Sequence, residues 1–314
     1  MGAPQTVAWK SGSNGKMIYE SFKLAGEGST GKVYQAFDRL MGRSVAVKRI
    51  KTGNLPRKTV DEVLKHTHVL RHLIHPNLGT IYDVYGGDDV FIVTEWFEGE
   101  NLEELSRHGK MLLEQFFPFV LQMQEGIIAA HSQGILHRDL KPANIMLRWL
   151  PSGSMHVKII DFGVSQLVPA SERGRKPADI SFMSPERLAQ EPLDARSDLY
   201  SLGCIYYFSL TQRHPFDVAE SPGKANFRKD DRIMSLHEIR PDLPSWLCDW
   251  VMWHLERQPG NRPESVMAAF QSFRQQASQA EAESSSKHSV PSVGSGERYR
   301  TARSKMLLPT SLPR

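Results

Sequence analysis

The chain has almost no cysteine. Cys204 and Cys248 are the only two in 314 residues. Both have apolar sequence neighbours, so buried free thiols are expected rather than a disulfide framework, and the composition suits a reducing cytoplasm. Long apolar runs are missing as well. No stretch of 18 or more apolar residues occurs, so no transmembrane segment is expected. The opening MGAPQTVAWKSGSNG lacks the apolar core of a secretory signal, and with Pro4 and Gln5 nearby a myristoylated Gly2 carries little weight. Excess charge of one sign is small. The net charge is +4, and no basic patch interleaved with aromatics appears, so no nucleic-acid partner is expected. No internal repeat is evident. What remains, at 40% hydrophobic and 24% charged, is an ordinary soluble globular composition with ample material for a core.

The order of elements is asymmetric. Residues 1–18 are rich in Gly and Ser and read as a loose N-terminus. From Tyr19 to about Arg49 the pattern is strand-like: YESFKLA, a glycine loop, KVYQAFD, a turn, then SVAVKRI. A helix is expected from Thr59 to about Leu73, with Thr59 as N-cap and Glu62 completing a capping box. Two more strands, GTIYDVYGG and DVFIVTEW, follow around the turn residues Gly86 to Asp89. Beyond Gly99 the periodicity is mostly helical, in EQFFPFVLQMQEGIIAAHSQG, SDLYSLGCIYYFSLT and SWLCDWVMWHLER. This predicts an α+β chain with a small sheet-rich half, one main helix and a larger helical half, and a site in the cleft between them.

Four short motifs carry chemistry. Gly26-Glu27-Gly28-Ser29-Thr30-Gly31-Lys32-Val33 places three glycines between two strands. Glycine lets backbone amides approach a phosphate closely, although a flexible hairpin turn uses the same residues. Val45-Ala46-Val47-Lys48 ends the third strand, where a lone lysine could equally snorkel to water. His137-Arg138-Asp139-Leu140-Lys141-Pro142-Ala143-Asn144 packs an acid, cations and an amide into eight residues after an apolar helix. Asp161-Phe162-Gly163 follows the strand-like HVKII.

In this order the four strings resemble the protein kinase signature of glycine loop, V-A-I-K, H-R-D-L-x-x-x-N and D-F-G. Ser184-Pro185-Glu186 looks like the family's A-P-E, Asp198 to Gly203 like its aspartate-bearing helix, and Arg262 like the arginine that pairs with Glu186. The resemblance spans roughly residues 19–273. It implies a bilobal protein kinase fold: an antiparallel-sheet N-lobe over about 19–95, a hinge at about 95–99, a mainly helical C-lobe over about 100–275, and a Ser-rich basic disordered tail over 276–314. The implied cofactors are ATP and Mg²⁺, and the implied partner is a protein offering a Ser or Thr hydroxyl. In that reading the backbone of Gly26, Glu27, Gly28, Ser29 and Gly31 covers the phosphates, and Lys48 holds the α- and β-phosphates. Val33 and Ala46 line the adenine slot, Thr94 is the gatekeeper, and Glu95 and Phe97 belong to the hinge. Asn144 and Asp161 ligate Mg²⁺, Asp139 accepts the substrate proton, and Lys141 sits near the transferred phosphate.

The chain departs from the family at three places. The helix glutamate that pairs the strand lysine normally precedes the HPN histidine by nine residues, and counting back from His75 lands on His66. A neutral imidazole cannot supply that charge. Glu62, one turn earlier, is the substitute expected to reach Lys48. His66, His68, His72 and His75 put four of the twelve histidines in eleven residues. Spacing i, i+4, i+7 from His68 would suit a metal, but without accompanying Cys or carboxylate they read as helix-surface histidines. In the substrate-side loop, Asp179 stands where the family has a threonine, which adds negative charge near Asp139. That loop offers Ser165, Ser171 and Ser181 as hydroxyls, or Glu172 and Asp179 as built-in anions. The tail over 276–314 carries six Lys/Arg, three Asp/Glu and nine serines, consistent with a solvated segment or with an autophosphorylated or docking one. Two functions stay open: an active serine/threonine kinase, or a pseudokinase scaffold that the missing helix glutamate and Asp179 would favour.

Overall fold

Alternation of side chains builds the first half. In the computed structural model, which describes residues 18–28, 31–52, 56–87, 89–162, 180–215 and 233–287, strands β1 (Tyr19–Gly28), β2 (Gly31–Asp38), β3 (Arg43–Lys51), β4 (Ile81–Tyr85) and β5 (Asp89–Glu95) form one antiparallel sheet. Their order is β1-β2-β3-β5-β4. Successive residues of β3 point to opposite faces. Val45 and Val47 join Tyr19, Phe22, Ala36 and Val93 in a small cluster on one face. Ala46, Lys48 and Ile50 take the other, where Ile50 packs with Val63 of helix α1 (Arg57–Leu70) in the main core.

The second half hangs on helices. After α1 and the hinge come β6 (Glu100–Asn101), the short α2 (Leu102–Leu105) and α3 (Leu113–His131). Strands β7 (Ile145–Trp149) and β8 (Met155–Ile159) pair with β6 in a second antiparallel sheet, in the order β6-β7-β8. Then follow α4 (Pro185–Leu188), α5 (Ala195–Thr211), α6 (Leu236–Ile239), α7 (Ser245–His254) and α8 (Val266–Lys287). α5 is apolar nearly all round and lies at the centre of this lobe, as a helix without a polar face must. One hydrophobic core runs from Ile50, Val90 and Ile92 through Leu73, Leu78 and Phe162 to Phe116, Tyr206 and Trp250, so the two lobes share an interior.

Two expectations at helix ends need correction. α1 begins at Arg57 with Pro56 as N-cap, and no side-chain cap forms, so Thr59 and Glu62 make no capping box. Pro56 already holds the extended backbone an N-cap needs (φ −57°, ψ 141°), and its carbonyl accepts from the amides of Thr59 and Val60. The same helix stops at Leu70, short of Leu73. At the other end, α8 continues through residues 276–287, where a disordered tail was expected. The run QQASQAEAE is rich in strong helix formers, and Ala277 is buried against the core. The tail beyond Lys287 and the N-terminus before Ile18 lie outside the described residues.

α7 stores a buried histidine. His254 Nδ1 donates to the Trp250 carbonyl at 2.8 Å, which leaves Nε2 as a bare buried lone pair with no partner among the described residues. Burial holds its pKa down to about 4, since a proton on Nε2 would be an uncompensated charge. An unfolded histidine titrates near 6.5, so the unfolded chain binds this proton first as pH falls. The contribution is complete above about pH 6.5 and is lost toward pH 4, roughly 3 kcal/mol in all. Urea unfolding between pH 7 and 4 is expected to show the loss, and His254→Met is expected to shallow it. An unchanged slope in the variant would remove His254 from the account.

Candidate active site

Strand register places the first group of residues. Val33 pairs with Lys48 across β2 and β3, and Ala46 pairs with Thr94 and Lys48 with Ile92 across β3 and β5. Directly paired residues share a face, so Val33, Ala46, Lys48 and Thr94 all look into the cleft, the three uncharged ones half-buried. Above them the β1–β2 hairpin closes with Gly28 opposite Gly31 and Gly26 opposite Val33. The glycines differ in their reasons. At Gly31 (φ 151°) a Cβ would stand 1.9 Å from the Arg49 carbonyl, so close strand packing alone requires glycine. At Gly26 a Cβ would meet nothing within 4 Å, so that position opens onto free space. Glu27 pairs with Lys32 across the exposed hairpin at 3.6 Å. Ser29, Thr30, Gly163 and Asp179, with Ser165, Ser171 and Glu172, lie outside the described residues.

The hinge residues are committed to the C-lobe. Glu95 Oε2 accepts from Lys158 Nζ of β8 at 2.5 Å, and that buried ammonium also donates to the Leu78 carbonyl at 3.3 Å. Phe97 is buried, its ring edge-on to His156 at 5.4 Å with the Arg148 guanidinium 5.1 Å over it. Both side chains therefore fasten the crossover between lobes, which leaves their backbone as the part that can face a ligand.

The second group is built around Asp198 of α5. Its buried carboxylate accepts from the His137 and Arg138 amides, each at 2.8 Å, and from His131 Nε2 at 2.8 Å. Burial alone would raise its pKa, but the bond and charge of His131 with the other donors hold it below the usual carboxylate range. This clamp sustains a left-handed backbone at Arg138 (φ 61°), and Asp161 shows the same geometry (φ 64°). Such conformations cost free energy in non-glycine residues and concentrate at functional sites. His137 is fully buried. It bonds the Ile160 carbonyl through Nε2 at 3.0 Å and packs against Phe162 with ring centroids 4.4 Å apart and planes tilted by 45°, tying the 137–144 loop to the 160–162 segment.

These supports bring the charged residues together. Lys48 Nζ donates to Asp161 Oδ2 at 2.8 Å. Asn144 Nδ2 donates to the Asp139 carbonyl at 2.8 Å and lies 3.4 Å from its Oδ2, which leaves the Asn144 amide oxygen as the free donor atom for a hard cation. Lys141 Nζ is 3.7 Å from Asp139 Oδ2. Arg187 of α4, which the sequence did not single out, lies 3.1 Å from Asp139 Oδ1 through Nη2. Burial raises the Asp139 pKa, but Lys141 and Arg187 outweigh it and hold the group at about 2. It is thus an anion throughout the neutral range. The cluster offers one buried cation, two carboxylates and an amide oxygen at a cleft, a set suited to a polyanion and a hard metal ion.

Glu62 does not join it. It is exposed and forms no ion pair with a described residue, and Lys48 takes Asp161 instead. His66 is half-buried, and burial with the nearby Arg138 charge keeps it neutral by lowering its pKa. His72 and His75 lie past the end of α1, so the helical spacing attributed to the histidines does not exist. His75 Nδ1 accepts from the Asn77 amide at 3.2 Å.

The Glu186–Arg262 pair forms as the motifs implied, at 2.8 and 2.9 Å. Ser197 also donates to Glu186 at 2.7 Å. Arg262 uses all five of its donors, the others going to the carbonyls of Arg196, Glu256 and Arg257. Arg262→Met is expected to lower the urea unfolding free energy by about 3–5 kcal/mol, because it strands a buried carboxylate. A loss under about 1 kcal/mol would mean the pair holds nothing together.

Residues 19–274 match the family described as protein kinase domain. A probable serine/threonine-protein kinase of Streptomyces coelicolor is 36% identical over 269 residues, covering 79% of this chain and 38% of that protein. Serine/threonine-protein kinase A of Synechocystis sp. is 32% identical over 281 residues, covering 79% of this chain and 51% of that protein. The crystal structure of Rad53 1-466 in complex with AMP-PNP shares the fold, with a TM-score of 0.64 at 24% identity, covering 81% of this chain and 64% of that one. The chain spans about half or less of the length of these two bacterial relatives.

Proposed function

The chain belongs to the protein kinase family, and on that premise we propose that it is an ATP- and Mg²⁺-dependent serine/threonine kinase whose catalytic unit is residues 19–275. The observation that carries the reading is the convergence of Lys48, Asp161, Asn144 and Asp139 at one cleft. Two of the relatives bear serine/threonine kinase names, and Rad53 was crystallised with AMP-PNP.

Magnesium-bound ATP supplies the phosphoryl group and the charge neutralisation such a transfer needs. The residues here fit it. Lys48 offers a cation to the phosphates from a rigid strand. Asp161 and Asn144 offer oxygens to the metal. The open side of Gly26 gives the hairpin backbone room over the phosphates, and Val33, Ala46 and Thr94 present small apolar surface to the base. Asp139, ionised at neutral pH, orients the acceptor hydroxyl and takes its proton. Lys141 sits beside it to balance charge on the moving group. Autophosphorylation belongs to the same proposal. No helix among the described residues is long and apolar enough to cross a membrane.

Transfer of ³²P from Mg·ATP to a basic protein and to the chain itself tests the reading. Asp139→Asn is expected to lose about 10²–10⁴ of the rate, and Lys48→Met to weaken nucleotide binding as well. Glu62→Gln is expected to stay within about twofold, as an exposed substitution does. Nucleotide binding without any Asp139-dependent transfer would instead favour the pseudokinase reading, for which Lys48 without an acid from α1 is the motive.

A further inference from the structure

Both oxygens of Asp139 are occupied. Oδ1 faces Arg187 at 3.1 Å, and Oδ2 lies between Lys141 at 3.7 Å and Asn144 at 3.4 Å. Lys141 and Asn144 stand within five residues of Asp139 on its own loop. Arg187 comes from a separate element, one residue after Glu186. Glu186 is itself locked by Arg262 and Ser197. The backbone under Arg187 is therefore fixed, while its side chain alone spans the gap to the base. An acceptor hydroxyl bonding Asp139 has to share or take the place Arg187 holds. The Arg187 side chain is only 12% exposed, so leaving Asp139 strands a largely desolvated guanidinium unless another anion replaces the carboxylate. Arginine suits that exchange, since its planar fork accepts a carboxylate or phosphate equally well.

We propose that Arg187 is a specificity-determining latch, which holds Asp139 Oδ1 in the resting chain and releases it to pair with an acidic side chain beside the acceptor hydroxyl. The inference rests on the kinase reading and deepens it by naming the substrate class: proteins whose target Ser or Thr has an adjacent carboxylate. Among the described residues, the charged and titratable groups facing Asp139 are Lys141, Arg187 and His137, and of these Arg187 is the one an acceptor can draw away.

The test uses the full chain with Mg·ATP and two serine peptides, identical except for Glu or Gln on the residues flanking the serine. Wild type is expected to favour the Glu peptide in kcat/KM by about tenfold. Arg187→Met is expected to bring that ratio close to one, mainly through the KM of the Glu peptide. Arg187→Lys, which keeps a charge, is expected to retain part of the preference. A merely structural arginine would slow both peptides alike. A wild-type ratio near one, which needs no variant to measure, overturns the latch while leaving the kinase reading intact, and so does a ratio that survives Arg187→Met. If wild type labels neither peptide nor itself, the kinase reading fails and the latch falls with it.

Discussion

Asp198 is a fully buried carboxylate that accepts two backbone amides and an imidazole, and the geometry of the whole site depends on it. The 137–144 loop has to carry Arg138 in a left-handed conformation and present Asp139 and Asn144 on one side. Such a backbone persists only when its surroundings over-determine it. α5 supplies that constraint from the centre of the C-lobe, where it cannot shift without moving Phe116, Tyr206 and Trp250. The same helix reaches the Glu186–Arg262 pair through Ser197, the third residue of its first turn. The rigid core, the strained loop and the acceptor-side segment are thus one mechanical unit.

The N-lobe solves a different problem with the same economy of parts. β3 divides its residues between two environments. Val45 and Val47 bind the outer face together, while Ala46 and Lys48 face the cleft. Lys48 is held by Asp161 from the other lobe, across 113 residues of chain, so this ion pair also draws the lobes toward one another. The Lys158–Glu95 pair and the ring of Phe97 do the same at the hinge. Cleft closure therefore rests on charges and one aromatic contact placed around a continuous apolar interior.

Asp139 shows how this site balances charge. Burial pushes a carboxylate toward neutrality, yet Lys141 and Arg187 reverse that and keep this one ionised. Arg187 reaches this carboxylate from α4. On the N-lobe side His66 of α1 is half-buried, and burial with the Arg138 charge lowers its pKa.

Local strings determined the α+β fold and the order of elements and singled out Lys48, Asp139, Asn144 and Asp161 as candidates, because glycine loops, strand alternation and an acid within five residues of an amide are short-range patterns. The Glu186–Arg262 pair was legible as well, through motifs at both ends. The tertiary structure alone decided the rest. Arg187 meets Asp139 from 48 residues away and Lys158 meets Glu95 from 63, and no spacing encodes either contact. The start of α1 went to Pro56 rather than Thr59 because a proline already held the cap geometry, and the end of α8 ran past the expected boundary because burial of Ala277 joined favourable helix propensity. Glu62 stayed in solvent for the same kind of reason: which face of a helix meets a lysine is set by how that helix packs, and packing is a property of the assembled core.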